Sequence, residues 1–416
     1  MSGNRRALHF LIAIIISVSA AALIVTCTTS SVRTHTSVVA KQPIVAPTQT
    51  CAAIDPPPPA EPSRNVPTLA EAAQRNIDRR LKALAGELGM MWTRNPVELV
   101  HVVDDAAKSD PRSPSVTLLL AIAHAETNGA ILDVSEAGAV GLAQATPVAI
   151  RQEDLSGKMF VTSDYLTGSR AYIMKKPLGD ADTIASMLLK KDDAKRRARA
   201  KRLLDSAFAL RREGVDELAL LEPFASSKFA ASVDNADAHN LARLRELKKL
   251  VAQRDNKRAL KRYRDEVRGE YRSLKQTQLS AWKRYQDDLI IARDRALEEH
   301  FGRSAALVKK EQPYEAGEYL ASTLDLRFSA RQMAAFLVRH LERKSEEARR
   351  LADSDDVDRI EEMTAALYNG GSHNVKRMLA GLIASLPETQ HYMRKVPATR
   401  RRLDATIARV EPLAAR

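Results

Sequence analysis

Apolar and polar positions change rhythm several times along this chain, and each change predicts an element. Leu11 to Ile16, continued by Val18, Ala20, Leu23, Ile24 and Val25 and ending at Cys27, make an apolar run of about 18 residues without an acidic or basic side chain, just long enough to cross a bilayer. Arg5 and Arg6 before it favour a cytoplasmic N-terminus at 1–7, a single-pass anchor at 8–27 and an exported remainder. The same run also fits a segment lipidated at Cys27 or a cleaved signal. From Thr28 to Pro67 the chain is dominated by Thr, Ser, Val, Ala and Pro, with prolines in a row from Pro56 to Pro59. That composition builds no core and predicts either a semi-rigid spacer or a plain disordered linker at 28–67.

At Leu69 the rhythm becomes helical. Ile77, Leu81, Leu84 and Leu88 fall at three- and four-residue steps, which puts them on one helix face. A second helix is expected over Pro96–Ala107. After the break Asp110-Pro111-Arg112-Ser113-Pro114, the segment Val116–Ala125 is apolar nearly all round, the pattern of a buried central helix. It ends near Gly129. A loop of small residues follows from Ser135 to Gln144, and Pro147 opens a short helix.

From about Tyr165 to Glu318 the pattern is dense charge on long helices. Leu260, Tyr263, Val267, Tyr271, Leu274, Trp282, Tyr285, Leu289 and Ala296 keep the three/four spacing, predicting a helix of about 60 residues and about 90 Å. The expected form of 165–320 is a coiled-coil-like hairpin or arm, with Lys190–Arg212 as a shorter outlying helix. Such an arm is expected to dock a protein partner or to be a solvated basic pair without one, and to be dispensable for chemistry elsewhere. Apolar density returns at 321–399, with helices around Ala330–Arg343 and Arg359–Tyr368, and 400–416 reads as a basic amphipathic tail.

Composition sharpens this picture in three ways. Charged residues at 28% against aromatics at 5% suit solvated helices and disfavour strand-rich folds. The 65 basic and 52 acidic residues leave a net charge of +13, which favours an anionic partner. Nucleic acid is set aside, because the aromatics of the basic region are spaced for helix packing and export removes such partners. The two cysteines, Cys27 and Cys51, precede the folded region, so no disulfide framework holds the core. The nine histidines lack metal-ligand spacing, no glycine-rich phosphate loop occurs, and no cofactor or metal is expected. His124-Ala-Glu126 opens like a zinc deaminase motif, but the paired cysteines are missing.

One carboxylate is conspicuous. Glu126 stands at the end of the apolar segment Leu118-Leu-Leu-Ala-Ile-Ala-His-Ala, where burial disfavours ionisation and lifts the group toward the range of a general acid. Gly138 and Gly141 allow close backbone approach to a ligand. Gln144 offers donor and acceptor together, and Tyr368 and Tyr392 could stack on a sugar ring. Asp133, Glu136 and Asp154 lie near in sequence and read as loop residues.

Three separated segments resemble the soluble lytic transglycosylase and goose-type lysozyme group, glycoside hydrolase family 23. Ala125-Glu126-Thr127 with Ser135-Glu-Ala-Gly138-Ala-Val-Gly141-Leu142-Ala143-Gln144-Ala-Thr-Pro147 is similar to its catalytic signature. Ala366-Leu-Tyr368-Asn369-Gly370-Gly371 and Pro387-Glu388-Thr389-Gln-His-Tyr392 resemble two later elements, in the family's order. Thr127 stands where the family has serine and keeps the hydroxyl. Ala143 replaces a methionine, removing bulk expected on the groove wall, and Gly370 replaces an alanine.

The resemblance implies a mainly α, lysozyme-like catalytic domain in two parts, 68–164 and 321–399, interrupted by the helical insertion. It implies a membrane-anchored enzyme outside the cytoplasmic membrane, cutting peptidoglycan glycan strands with Glu126 as acid and base. Thr127, Ser135, Gly141, Leu142, Gln144, Tyr368, Asn369 and Tyr392 would bind substrate.

Overall fold

A computed structural model of the protein describes residues 69–89, 96–253, 256–353, 355–384 and 386–410. The apolar run ending at Cys27, the proline-rich stretch to Pro67 and residues 411–416 lie outside the described residues. Among the described residues no helix is long and apolar enough to cross a membrane. By their contacts the described residues from Asp78 onward form one compact unit.

The fold is mainly α, with no strand among the described residues. Helix α1 (Leu69–Leu88) buries Leu81, Leu84 and Leu88, as the spacing predicts. α2 (Pro96–Ser109) leads to α3 (Val116–Thr127), where the Ser115 side chain accepts the Leu118 amide hydrogen and caps the N-terminus. Every residue from Thr117 to Ala123 is buried, and α3 packs against α2, α11 (Ala330–Ala352) and α14 (Pro387–Val410). Each such leucine or isoleucine side chain contributes about 1.5–3 kcal/mol, so the run has one stable place, the centre. The helix stops at Asn128, whose φ of 50° asparagine tolerates and whose N–H bonds to the His124 carbonyl. The loop 129–146 follows, drawn together by isolated bridges Val134–Val140 and Val140–Ala145, and α4 (Pro147–Gln152) starts under a Thr146 cap.

The charged region folds differently from the expected hairpin. α5 (Ser163–Lys190), α6 (Ala194–Ala219), α7 (Ser227–Ala252) and α8 (Lys257–Phe301) pack against one another. They share an apolar core that includes Leu178, Ile184, Leu203, Leu204, Leu244 and Tyr263. α8 is 45 residues long, not 60, and Lys190–Arg212 belongs mostly to α6, which lies in the bundle. The reason is burial: all four helices carry an apolar face, and a two-helix hairpin would leave those of α5 and α6 in water. α9 (Ala305–Glu311) and α10 (Pro313–Thr323) return the chain to α11.

α12 (Val357–Gly370) and α13 (Ser372–Ala380) precede α14. The basic segment from Arg400 is not a separate tail, because α14 runs through Pro397 to Val410. Tyr392, Val396 and Leu403 are buried along it, and that stripe seats the helix on α3 and α12. Arg402 Nε meets Glu87 Oε1 at 2.9 Å, and Arg400 pairs with Glu361.

Candidate active site

Three helix ends converge on one carboxyl group. α3 ends with Glu126 and Thr127, α12 ends with Tyr368 and Asn369, and the first turns of α14 carry Glu388, Thr389 and Tyr392. The Tyr392 hydroxyl donates to Glu126 Oε1 at 2.9 Å. Tyr368 lies parallel to Tyr392, ring centres 6.5 Å apart, and its hydroxyl donates to the Ala143 carbonyl at 2.7 Å. The Thr389 hydroxyl donates to Asn369 Oδ1 at 3.1 Å, and Thr127 Oγ1 reaches the Leu142 carbonyl at 3.5 Å. Segments separated by more than 200 residues are thus tied around Glu126 by their own side chains.

Burial pushes the Glu126 carboxyl from 4.5 up to about 7, opposed by the Tyr392 hydrogen bond and raised further by the nearby Glu388. Lys395 pulls the other way, more weakly. Solvent still reaches part of the residue, which is only half-buried. A carboxyl closely surrounded by protein yet open on one side keeps its proton near neutrality and can deliver it to a ligand. Glu388 beside it is itself raised by burial, opposed by the Asn369 side chain that bonds to it.

The loop 129–146 is held from behind by a buried ion pair. Arg327 and Asp325 are fully buried, with Arg327 Nε bonded to Asp325 Oδ1 and Oδ2 at 2.9 and 3.0 Å. The same guanidinium donates to the Gly138 and Ala145 carbonyls at 2.5 and 2.9 Å. It also reaches the Tyr285 hydroxyl at 3.2 Å. Three residues of α8 bond nearby, Gln286 and Arg293 to the loop itself and Tyr285 to the segment after α4. Tyr285 donates to the Phe160 carbonyl at 2.6 Å, Gln286 to the Val134 carbonyl at 3.1 Å, and Arg293 to the Leu132 carbonyl at 2.7 Å. The helical insertion therefore carries part of the scaffold of this loop and does not stand apart from it as an arm.

These contacts reassign several residues. Gly141 has φ +75°, and a Cβ there would stand 2.5 Å from the Arg327 carbonyl oxygen, so its glycine serves packing within the protein and not approach to a sugar. Leu142 and Ala143 are buried at 0 and 1% exposure, so neither side chain forms a groove wall, and the loss of bulk at Ala143 is an interior change. Tyr368 and Tyr392 are each 5% exposed with their hydroxyls engaged, which leaves little ring face for stacking on a ligand. They orient Glu126 and the loop instead. Asn369 is buried and holds α14 through Thr389 and Glu388. Ser135 accepts the Ala139 amide at 3.0 Å and closes the loop.

Glu126, Thr127, Ser135 and Gln144 keep accessible surface. Gln144 is held at φ 44°, its Nε2 donating to the Gly141 carbonyl at 3.1 Å. Arg327 and Asp325 carried no sequence signal, since isolated charged residues have none, and Tyr285 stood out only as a helix-packing position. Glu388 lies within the segment Pro387–Tyr392 that resembles the family, which is the signal the sequence holds for it. No group of histidine, cysteine, aspartate and glutamate suited to a metal ion occurs among the described residues.

Comparison with known protein families, with characterised proteins and with solved structures gives no match.

Proposed function

We propose that this chain is a peptidoglycan lytic transglycosylase that cleaves the bond between N-acetylmuramic acid and N-acetylglucosamine. The observation that carries the reading is the Glu126 carboxyl, raised to about 7 by burial and held at 2.9 Å by Tyr392, at the meeting point of three sequence elements that each resemble the family. In the reaction, protonated Glu126 gives its proton to the bridging oxygen as the bond from C1 of the muramyl ring breaks. The ring's acetamido group stabilises the cationic C1. The resulting carboxylate of Glu126 then takes the proton of the 6-hydroxyl as that oxygen bonds to C1, closing a 1,6-anhydro ring and restoring the acid. No second protein carboxylate is needed, unlike the two-carboxylate glycosidase scheme.

Tyr392 occupies Oε1 and leaves the other carboxyl oxygen for the substrate. Anchorage in the cytoplasmic membrane through 8–27, an active domain outside that membrane and a docking role for part of 165–320 in a cell-envelope complex belong to the same reading.

The test is digestion of purified peptidoglycan by the full chain and by Glu126→Gln, with mass spectrometry of the released muropeptides. Anhydro-muramyl ends from the wild type and none from the variant are expected. Reducing ends would make it a lysozyme-like hydrolase, and products from neither protein would make it a wall-binding scaffold.

A further inference from the structure

Where α5 turns into α6 the surface opens into a cleft of about 770 Å³, lined also by Gly381 in the turn after α13. Lys190, Lys191, Lys195, Arg196 and Arg199 line it, against the carboxylates of Asp182 and Asp193. Both carboxylates are already engaged. Asp182 Oδ1 is paired with Arg268 of α8 at 2.9 Å. Asp193 caps α6 by accepting the Arg196 amide at 2.8 Å and lies 3.6 Å from Lys191 Nζ. Lys190, Lys195 and Arg199 show no ion pair among the described residues, and the buried Nη1 of Arg196 makes no hydrogen bond, its carboxylate neighbour Asp193 Oδ2 lying 3.5 Å away.

Five cations facing two carboxylates leave an excess of three positive charges in one concavity. Like charges gathered on one surface repel and so do not stabilise the fold, even where solvent reaches most of them. An anion of matching charge reverses the sign. Lysine ammonium groups and arginine forks line the cleft from two helices and the turn between them, which suits a tetrahedral group that accepts donors from several directions; a single carboxylate accepts in one plane. Met187 and Leu203 add apolar surface beside the cations, and the volume fits a ligand of several linked groups.

We infer that this cleft binds a phosphorylated ligand bearing a diphosphate or two neighbouring phosphates, each phosphate carrying up to about two negative charges. The site is distinct from Glu126 and does not depend on glycan cleavage.

The experiment is calorimetric titration of the full chain with inorganic pyrophosphate at low ionic strength, beside Lys190→Ser/Arg196→Gln/Arg199→Ser and with citrate as a carboxylate control. Saturable one-to-one binding of pyrophosphate is expected, weakened by added salt and by about tenfold or more in the triple variant, with citrate binding more weakly. Circular dichroism of the variant checks that its helices are intact. Equal affinity in a folded variant, no saturable binding by the wild type, or citrate binding as tightly as pyrophosphate would overturn the inference; should the triple variant unfold, Arg199→Ser alone carries the comparison. Vesicles of phosphatidylglycerol identify the source of the phosphate. If it is a lipid headgroup, the wild type sediments with vesicles more strongly than the variant and pyrophosphate removes the difference; if it is a soluble compound, pyrophosphate binds and the two proteins sediment alike.

Discussion

Replacing Glu126 by glutamine isolates the physical quantity on which the proposed chemistry depends. Glutamine keeps the shape and an oxygen to accept the Tyr392 hydroxyl, and it removes only the charge. The folded chain holds the Glu126 proton more tightly than the unfolded chain, because the carboxyl is raised from 4.5 to about 7. The associated stability is therefore complete below about pH 4.5 and is lost as pH rises through about 7. The shift corresponds to about 3 kcal/mol, and the solvent that reaches one side of the half-buried residue brings the expected effect to about 2–3 kcal/mol.

Glu126→Gln should thus match the wild type in stability at pH 4.5 and exceed it at pH 8 by that amount, or by about 3–4 °C in Tm for a unit of this size. Thermal or urea melts of both proteins across pH 4.5–8 measure it. A stability difference that does not change with pH would refute the argument, since it would mean that the carboxyl ionises as easily in the folded chain as in the unfolded one.

Three further outcomes follow from the same contacts. Tyr392→Phe removes the hydrogen bond that favours the ionised form of Glu126, so the alkaline limb of the pH–activity profile should move up by about one pH unit; movement downward would contradict the assigned role. Glu388→Gln removes a like charge that raises Glu126, so the same limb should move toward acid, with no change if the two carboxyls do not sense each other. Arg327→Met leaves Asp325 buried without its cation and cuts the bonds to the Gly138 and Ala145 carbonyls, a loss of about 3–5 kcal/mol readable by urea denaturation, whereas a cost under about 1 kcal/mol would mark the pair as marginal.

The helices of this protein and its single candidate acid are legible in the sequence because both rest on local rules. Val116–Thr127 has no polar face to offer water, so it takes the centre wherever the rest of the chain goes, and Glu126 at its end is desolvated by position. The break at Asp110–Pro114 and Gly129 bound the helix in the sequence; the structure adds the Ser115 and Asn128 caps.

The roles of the surrounding residues were decided by tertiary structure alone. Whether Tyr368 and Tyr392 face a ligand or the interior depends on which helices cover them, and Gly141 is explained only once the Arg327 carbonyl lies against it. The charged region shows the same limit. Its spacing predicts helices, but that four of them close on a shared core, and that Gln286 and Arg293 reach from α8 into the loop beside the site, is decided by which helices pack together, the two loop contacts joining residues more than a hundred positions apart. Periodicity specifies which face of a helix is apolar; the partner that covers that face is chosen by the packing of the whole chain.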